Sequence, residues 1–323
     1  MKRKEALNKF SEENEEGRKR TERTFRICLT EQIDEMMKRI YTALEDIAQQ
    51  AQDTEKEFLT FFSFSLQRYD LTEGKTAVRL DAMGPEWYLD QRPLQACFDL
   101  TFLFQAFFEW KKELLLVMRP YGGKVNRYDV EYFVQEEIMA GYMEIAGLLH
   151  YAFRNLETVP AFSQIPRLPV WFVHWGEYKD YSQVVCQVNR EIRGQAELEK
   201  SLAEQEDELQ ENQPDYWFGG SFTGVDCRDK SMRFTVFENC SLTEINFEGA
   251  DLEGARFLNC RIEKCHFKNT KLYLVEFKDC LFYNDNFAGA SLKMAVFDRK
   301  SFNAGLFEEK QLKELLVETK KTV

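Results

Sequence analysis

Ala250-Asp-Leu-Glu-Gly-Ala255-Arg-Phe-Leu-Asn-Cys260-Arg-Ile-Glu-Lys-Cys265-His-Phe-Lys-Asn269 decides the fold of the C-terminal third of this chain. A large apolar residue stands at the third place of every group of five, and a small one opens each group. Extended in both directions, the large track reads Met232, Phe237, Leu242, Phe247, Leu252, Phe257, Ile262, Phe267, Leu272, Phe277, Phe282, Phe287, Leu292, Phe297, Phe302 and Phe307 without a slip. The small track, two residues earlier, includes Thr235, Cys240, Ala250, Ala255, Cys260, Cys265, Thr270, Val275, Cys280, Ala290, Ala295 and Gly305. Neither a helical period of 3.6 nor a strand period of 2 carries two tracks of different size at a spacing of five.

A chain that makes a quarter-turn every five residues closes a square coil in twenty. Residues twenty apart then stack, and they match: Phe237, Phe257, Phe277 and Phe297 form one column, and Phe247, Phe267, Phe287 and Phe307 another. The small track obeys the same rule in Cys240, Cys260 and Cys280, which read as buried wall residues rather than disulfide partners. Lys230, Ile245, Asp285 and Lys300 break the small track, and bulges or end effects are expected there.

Units such as Ala250-Asp-Leu-Glu-Gly, Ala255-Arg-Phe-Leu-Asn and Ala290-Ser-Leu-Lys-Met resemble the pentapeptide-repeat family over roughly a quarter of the chain. The resemblance implies a right-handed quadrilateral β-helix over residues 219–307. Solenoid ends need covering. Trp217, Phe218 and Phe222 are the expected cap before the repeats, and a helix over 308–323 carrying Leu312, Leu315 and Leu316 the cap after them. Some relatives dimerise through a C-terminal segment, so the resemblance also implies a homodimer contact there.

Upstream, Ile33, Met37, Ile40, Leu44, Ile47 and Ala51 make the seam of an amphipathic helix. Phe62, Phe64 and Leu66, then Val78, Leu80 and Ala82, alternate around Thr72–Lys75 and suggest a β-hairpin. Helical patterns follow over Leu94–Met118 and Asp129–Leu156. The expected organisation is multidomain α + β: a charged, mobile arm (1–23), a mainly helical domain with that hairpin (24–190), an exposed acidic connecting helix and linker (191–218), the β-solenoid (219–307) and the capping helix (308–323).

Charge narrows the function. The chain has a net charge of −12, yet residues 219–307 hold twelve acidic and twelve basic side chains and the tail balances, so the excess belongs to residues 1–218. Nucleic-acid affinity rests on clustered cations, and the clusters Lys2–Lys4 and Arg18–Arg23 fall in the arm, so direct nucleic-acid binding is not expected. The charged N-terminus lacks the apolar run of an export signal, and the apolar stretch Cys97–Met118 is broken by charges, so a cytoplasmic protein without a membrane span is expected.

Catalytic signals are sparse. Gly122-Gly123-Lys124 lacks the remaining glycine and hydroxyl of a phosphate loop. His150, His174 and His266 share no metal-ligand spacing. No catalytic, cofactor or metal residue is assigned, although a triad assembled from distant segments would escape this reading. Trp171, Trp175, Tyr178 and Tyr181 form the candidate partner-binding surface, because tryptophan and tyrosine anchor interfaces; a core role is the competing reading. Trp87, between Pro85 and Pro93, is a further aromatic of open role. The reading that follows is a non-catalytic protein-binding scaffold or adaptor whose partner is another protein. The family resemblance adds an association with bacterial secretion or injection machinery. The alternatives are an enzyme with an unrecognised site in the helical domain, or a DNA-mimicking topoisomerase inhibitor, which some relatives are. Mimicry needs a sustained acidic face, and about four neutral coils do not offer one.

Overall fold

A computed structural model describes residues 2–204 and 214–318. The chain divides into two compact units, residues 1–168 with 172–185, and residues 169–171 with 186–323.

The first unit opens with helices α1 (Arg3–Glu13), α2 (Glu15–Glu31) and α3 (Ile33–Asp53). The charged N-terminus is therefore no mobile arm. Ala6, Phe10, Thr21, Phe25 and Leu29 form a sparse buried stripe at multiples of roughly four residues. The arginines between them clasp acids on later helices: Arg3 to Asp129 at 2.7 Å, Arg20 to Glu113 at 2.8 Å and Arg26 to Glu144 at 2.8 Å. Gly17 is where this layer comes closest, since a Cβ there would lie 2.8 Å from the Trp110 indole nitrogen.

Strand β1 (Leu59–Leu66), helix α4 (Arg68–Thr72), strand β2 (Ala77–Met83) and strand β3 (Leu94–Asp99) come next. β1 and β2 pair antiparallel with Phe64 opposite Leu80. Leu94–Asp99 is a strand and not the start of a helix: Leu94 and Ala96 are buried and alternate with exposed Gln95 and Cys97, and helix α5 begins only at Thr101 (Thr101–Val117). Helix α6 (Arg127–Ala152) starts at a reciprocal cap, with Asn126 accepting from the Tyr128 and Asp129 amides and Asp129 accepting from the Asn126 amide. After α7 (Pro160–Ser163), strands β4 (Arg167–Glu177) and β5 (Ser182–Asn189) complete a five-stranded sheet of order β3-β2-β1-β4-β5. β4 runs parallel to β1. The region is thus α+β, with the helices on the sheet face that carries Phe62 and Phe64; the Tyr142 hydroxyl donates to the Phe64 carbonyl there.

In the second unit the coil is square and in register. Phe237, Phe257 and Phe277 sit opposite one another in parallel strands, with rings stacked at 5.2 and 4.7 Å, and neighbouring columns meet edge to face at 6.2 Å. The solenoid begins earlier than the repeat pattern suggests. Trp217 pairs with Phe237 and Phe222 with Leu242, so both are core of the first coil, not its cap. Cys227 occupies a large-track place, and this small residue hides the register from a reading of size alone.

The lid on that first coil is helix α8 (Gln195–Glu204), whose Leu198 and Leu202 join the solenoid core. It is less exposed than the connecting helix expected over 191–218, with Leu198 and Leu202 buried, and residues 205–213 of that segment lie outside the described residues. At the other end, where a helix is expected over 308–323, the described residues hold a helix at Glu309–Leu312 and a strand at Leu316–Glu318 beside Val296–Asp298, and residues 319–323 lie outside the described residues. Leu312 and Leu315 pack on the core, whereas Leu316 is exposed. Gln311 closes this end: its amide donates to the Phe287 carbonyl at 2.7 Å and the Ala290 carbonyl at 2.9 Å, replacing the next coil's backbone.

The small track is chemically more than small. The Cys240, Cys260 and Cys280 thiols each donate to a carbonyl twenty-three residues earlier, at 3.2–3.3 Å, and the Thr270 hydroxyl does the same at 2.7 Å. Asp285 produces no bulge. Its carboxylate accepts from the Cys265 and Tyr283 amides at 2.7 and 2.8 Å, so the acid acts as part of the wall.

Candidate binding cleft

Two connections at one end of the sheet frame an open cleft of about 1300 Å³: residues 54–58, between α3 and β1, and residues 84–93, between β2 and β3. Gly84, Pro85 and Pro93 keep the second connection out of strand and α-helix, leaving a single 3-10 turn at Trp87–Leu89. Asp90 gives it shape, accepting from the Gly84 amide at 2.7 Å, the Arg92 amide at 2.9 Å and the Lys56 ammonium at 2.7 Å. Burial would raise the Asp90 carboxyl, but Lys56 and the two amides outweigh it and hold it below the usual carboxylate range. Lys56 also donates to the Arg92 carbonyl, so one lysine pins both rims together. Each rim carries a residue in the left-handed region, Glu55 (φ 52°) and Trp87 (φ 53°).

The walls combine apolar and acidic groups. Phe58 is 55% and Leu89 82% exposed, and Leu94 and Leu168 lie beneath them. Glu55, Glu57 and Glu86 also line the cleft, and none of the three forms an ion pair among the described residues. Next to the cleft, the rings of Tyr88, Trp87, Phe61 and Phe172 stack in series at 4.9, 5.0 and 5.4 Å. His174 lies 5.5 Å from Trp87. Its Nε2 has no hydrogen-bond partner, and burial pushes the imidazole down to about 4.

Ser63, Asp81 and His174 occupy one row across β2, β1 and β4, the composition of a hydrolytic triad. Their partners argue against that chemistry. Asp81 binds Arg79 at 2.7 Å and Gln95 at 2.9 Å, and Ser63 shares a hydrogen bond with Ser65 at 3.2 Å. No relay from serine to imidazole to carboxylate is formed. Among the described residues no group of histidine, cysteine and carboxylate side chains could hold a metal ion, and no helix is long and apolar enough to cross a membrane.

The aromatic surface expected from sequence does not form. Trp171 and Trp175 are 1% and 0% exposed; Trp175 stacks on Tyr142 at 4.4 Å and donates to its carbonyl at 2.8 Å. Tyr178 is half-buried with the Arg79 guanidinium 4.9 Å above its ring, and Tyr181 alone of the four is exposed. In β4, 171 and 175 share one face, and Tyr178 and Tyr181 lie beyond its last residue, so the fold separates what the sequence places together. Sequence reasoning left Trp87 open and missed Phe58 and Leu89, whose only signal was apolar residues beside glycine and proline in connections too irregular to hide them.

On the solenoid, charges pair between successive coils. Arg256 meets Glu276 at 2.6 Å, Arg233 meets Glu253 at 3.0 Å, Lys268 meets Glu248 at 3.0 Å, and Lys264 meets Glu244 at 3.2 Å. Each pair spans twenty residues; within 219–307 no two acids stand twenty apart, and an acid lies opposite an acid at Asp298 and Glu318 of the closing strand. Burial pushes the Cys227 and Cys265 thiols up to about 12 and raises Cys260 well above its ordinary value, while the hydrogen bond with Cys260 lowers Cys240.

A family model described as the pentapeptide repeat region matches residues 230–309, which together with the square coil makes the C-terminal region a pentapeptide-repeat β-solenoid. The match does not extend into the first unit. Among solved structures, the solenoid is similar to HetL, a pentapeptide repeat protein involved in heterocyst differentiation regulation from the cyanobacterium Nostoc, at 19% identity over 27% of this chain and 40% of HetL (TM-score 0.26). It is similar also to QnrB1, a plasmid-mediated fluoroquinolone resistance protein, at 20% identity over 26% of this chain and 53% of QnrB1 (TM-score 0.24). A pentapeptide repeat protein from the Arabidopsis thaliana thylakoid lumen matches at 18% identity over 27% of this chain and 71% of its own (TM-score 0.15). The chain thus spans about half or less of the length of the first two, and these likenesses concern the fold of the coil. No curated protein matches the chain.

Proposed function

We propose that this protein is a non-catalytic protein-binding scaffold, in which the cleft of the first unit takes the partner and the solenoid is a rigid, charge-compensated body. The observation that carries this reading is the cleft wall: exposed Phe58 and Leu89 beside three glutamates that form no ion pair among the described residues. Exposed apolar side chains rimmed by charge mark interaction sites. An enzyme reading gains no support from the Ser63–His174–Asp81 row, and the wall charges give none to DNA mimicry.

The test uses the full-length chain and a Phe58→Ser/Leu89→Ser double variant. Both side chains are exposed, so the variant keeps the fold. A partner recovered on the wild type is identified by mass spectrometry, purified and titrated against both chains. Loss of at least tenfold in affinity in the variant supports the reading. Equal affinity moves the contact away from the cleft, and a chain that retains no protein but turns over a small molecule overturns the scaffold.

A further inference from the structure

We infer that the cleft recognises an extended protein segment with an aliphatic or aromatic side chain flanked by lysine or arginine. The inference rests on the scaffold reading and specifies its ligand. Charge is the first argument. Lys56 and Asp90 neutralise each other inside the wall, so Glu55, Glu57 and Glu86 face the opening against Arg92 alone. A cationic ligand completes this set, while a phosphate-bearing one meets three carboxylates.

Shape is the second argument. At about 1300 Å³ the cleft exceeds the ~300–1,000 Å³ of pockets for small molecules and accommodates several consecutive side chains. Phe58 and Leu89 offer it apolar contacts from opposite rims.

The mode of recognition follows from the sheet edge. β3 is the outermost strand on the cleft side of the sheet, and an open edge would invite a peptide to add as a further strand. Gln50 forecloses this: its amide donates to the Gln95 carbonyl at 2.8 Å and its oxygen accepts from the Gln95 amide at 3.2 Å. Arg39 takes the Asp99 carbonyl at 2.7 Å. The segment is therefore read through its side chains. The Lys56–Asp90 clasp ties the two rims to each other at a fixed separation before any ligand arrives, which lowers the ordering cost of binding.

Three fluorescein-labelled decapeptides titrated into the full-length protein by anisotropy test this. One carries Leu-Phe flanked by Lys and Arg, the second replaces Leu-Phe with Ser-Ser, and the third replaces the cations with Glu. Binding of the first alone is expected, weakened several-fold between 50 and 300 mM salt. A Glu55→Lys/Glu57→Lys/Glu86→Lys variant loses about tenfold, from three exposed charge interactions of modest size each. Equal binding of the acidic peptide, or an unaffected triple variant, overturns the proposed chemistry. If no basic–apolar peptide binds while the Phe58→Ser/Leu89→Ser variant still loses its protein partner, this inference fails and the scaffold reading stands.

Discussion

Acidification destabilises the first unit through His174. Its imidazole is 9% exposed, enclosed by Phe61, Phe172 and Trp87, and without a partner for Nε2. The folded value of about 4 lies below the ordinary 6.5, so the unfolded chain binds more protons between those values and stability falls as pH drops through that window. Between pH 7 and pH 5 the linkage amounts to about 2 kcal/mol, and it levels off near 3 kcal/mol below pH 4. For a unit of this size that is a fall in Tm of roughly 4–8 °C by pH 5. Urea unfolding of the full chain, followed by tryptophan fluorescence at pH 7, 6 and 5, is compared with His174→Phe, which keeps the ring and removes the titration. Four of the five tryptophans, Trp87, Trp110, Trp171 and Trp175, precede the solenoid, so the signal is dominated by that region. The wild type should lose about 2 kcal/mol relative to the variant over this range. Parallel pH profiles for the two chains would refute the assignment of a buried neutral imidazole.

Asp285 has the opposite sign. Burial pushes its carboxyl up to about 6 against the Cys265 and Tyr283 amides, so the folded solenoid binds the extra proton, and stability falls as pH rises from about 4 to 6. Relative to Asp285→Ala, wild type should gain about 2 kcal/mol between pH 7 and pH 4 in urea titrations; no difference in slope would sink this. Gln311→Ala leaves the Phe287 and Ala290 carbonyls without their donor and costs roughly 1–3 kcal/mol of local stability. Hydrogen exchange reads it out at the Leu316 and Met294 amides, which bond the Ala295 and Glu314 carbonyls. Their protection should drop while that of the Phe257 coil holds.

The solenoid was legible because its core repeats in size, and twenty-residue stacking follows from that alone. A third track went unread. The residue two after each large one has positive φ from Asp229 through Met294, and Gly219 and Gly224 extend it upstream. Gly249, Gly254, Asn259, Asn269, Asn284 and Gly289 suit that conformation; Phe234 and Leu274 do not, and only the closed coil holds them there. That track continues to Gly219 where the size track is broken by Cys227, so it would have carried the reading into the first coil. The N-terminal helices were hidden for a related reason. Four-residue spacing between Ala6, Phe10, Thr21 and Phe25 is thin against the surrounding charge, and the acids that match those arginines lie more than ninety residues away. β3 was misread because its alternation of Leu94, Ala96, Phe98 and Leu100 with Gln95, Cys97 and Asp99 spans only seven residues and runs directly into the apolar helix α5 at Thr101. The cleft was illegible because it is built from what two connections leave uncovered, and exposure is not a property of a residue type.

Charge compensation separates the two regions by function more sharply than fold does. On the coil, twenty-residue stacking brings Arg256 to Glu276 and Lys268 to Glu248, Arg228 and Arg261 answer Asp226 and Glu263 within their own coils, and with twelve acidic and twelve basic side chains over 219–307 the wall presents little field to a distant partner. In the first unit several arginines are held by structural contacts: Arg18 to Glu137 at 3.5 Å, Arg26 to Glu144, and Arg68 to both Glu136 and Glu177. These clasps bind α2 and α4 to the rest of the unit and leave the surplus acids elsewhere. Three of those acids stand at the cleft mouth. Exposed charges of one sign beside Phe58 and Leu89 combine long-range attraction with short-range burial, the pairing that raises association rates and then retains what arrives. A coil that is neutral along its length does neither, which is why the binding role is assigned to the first unit.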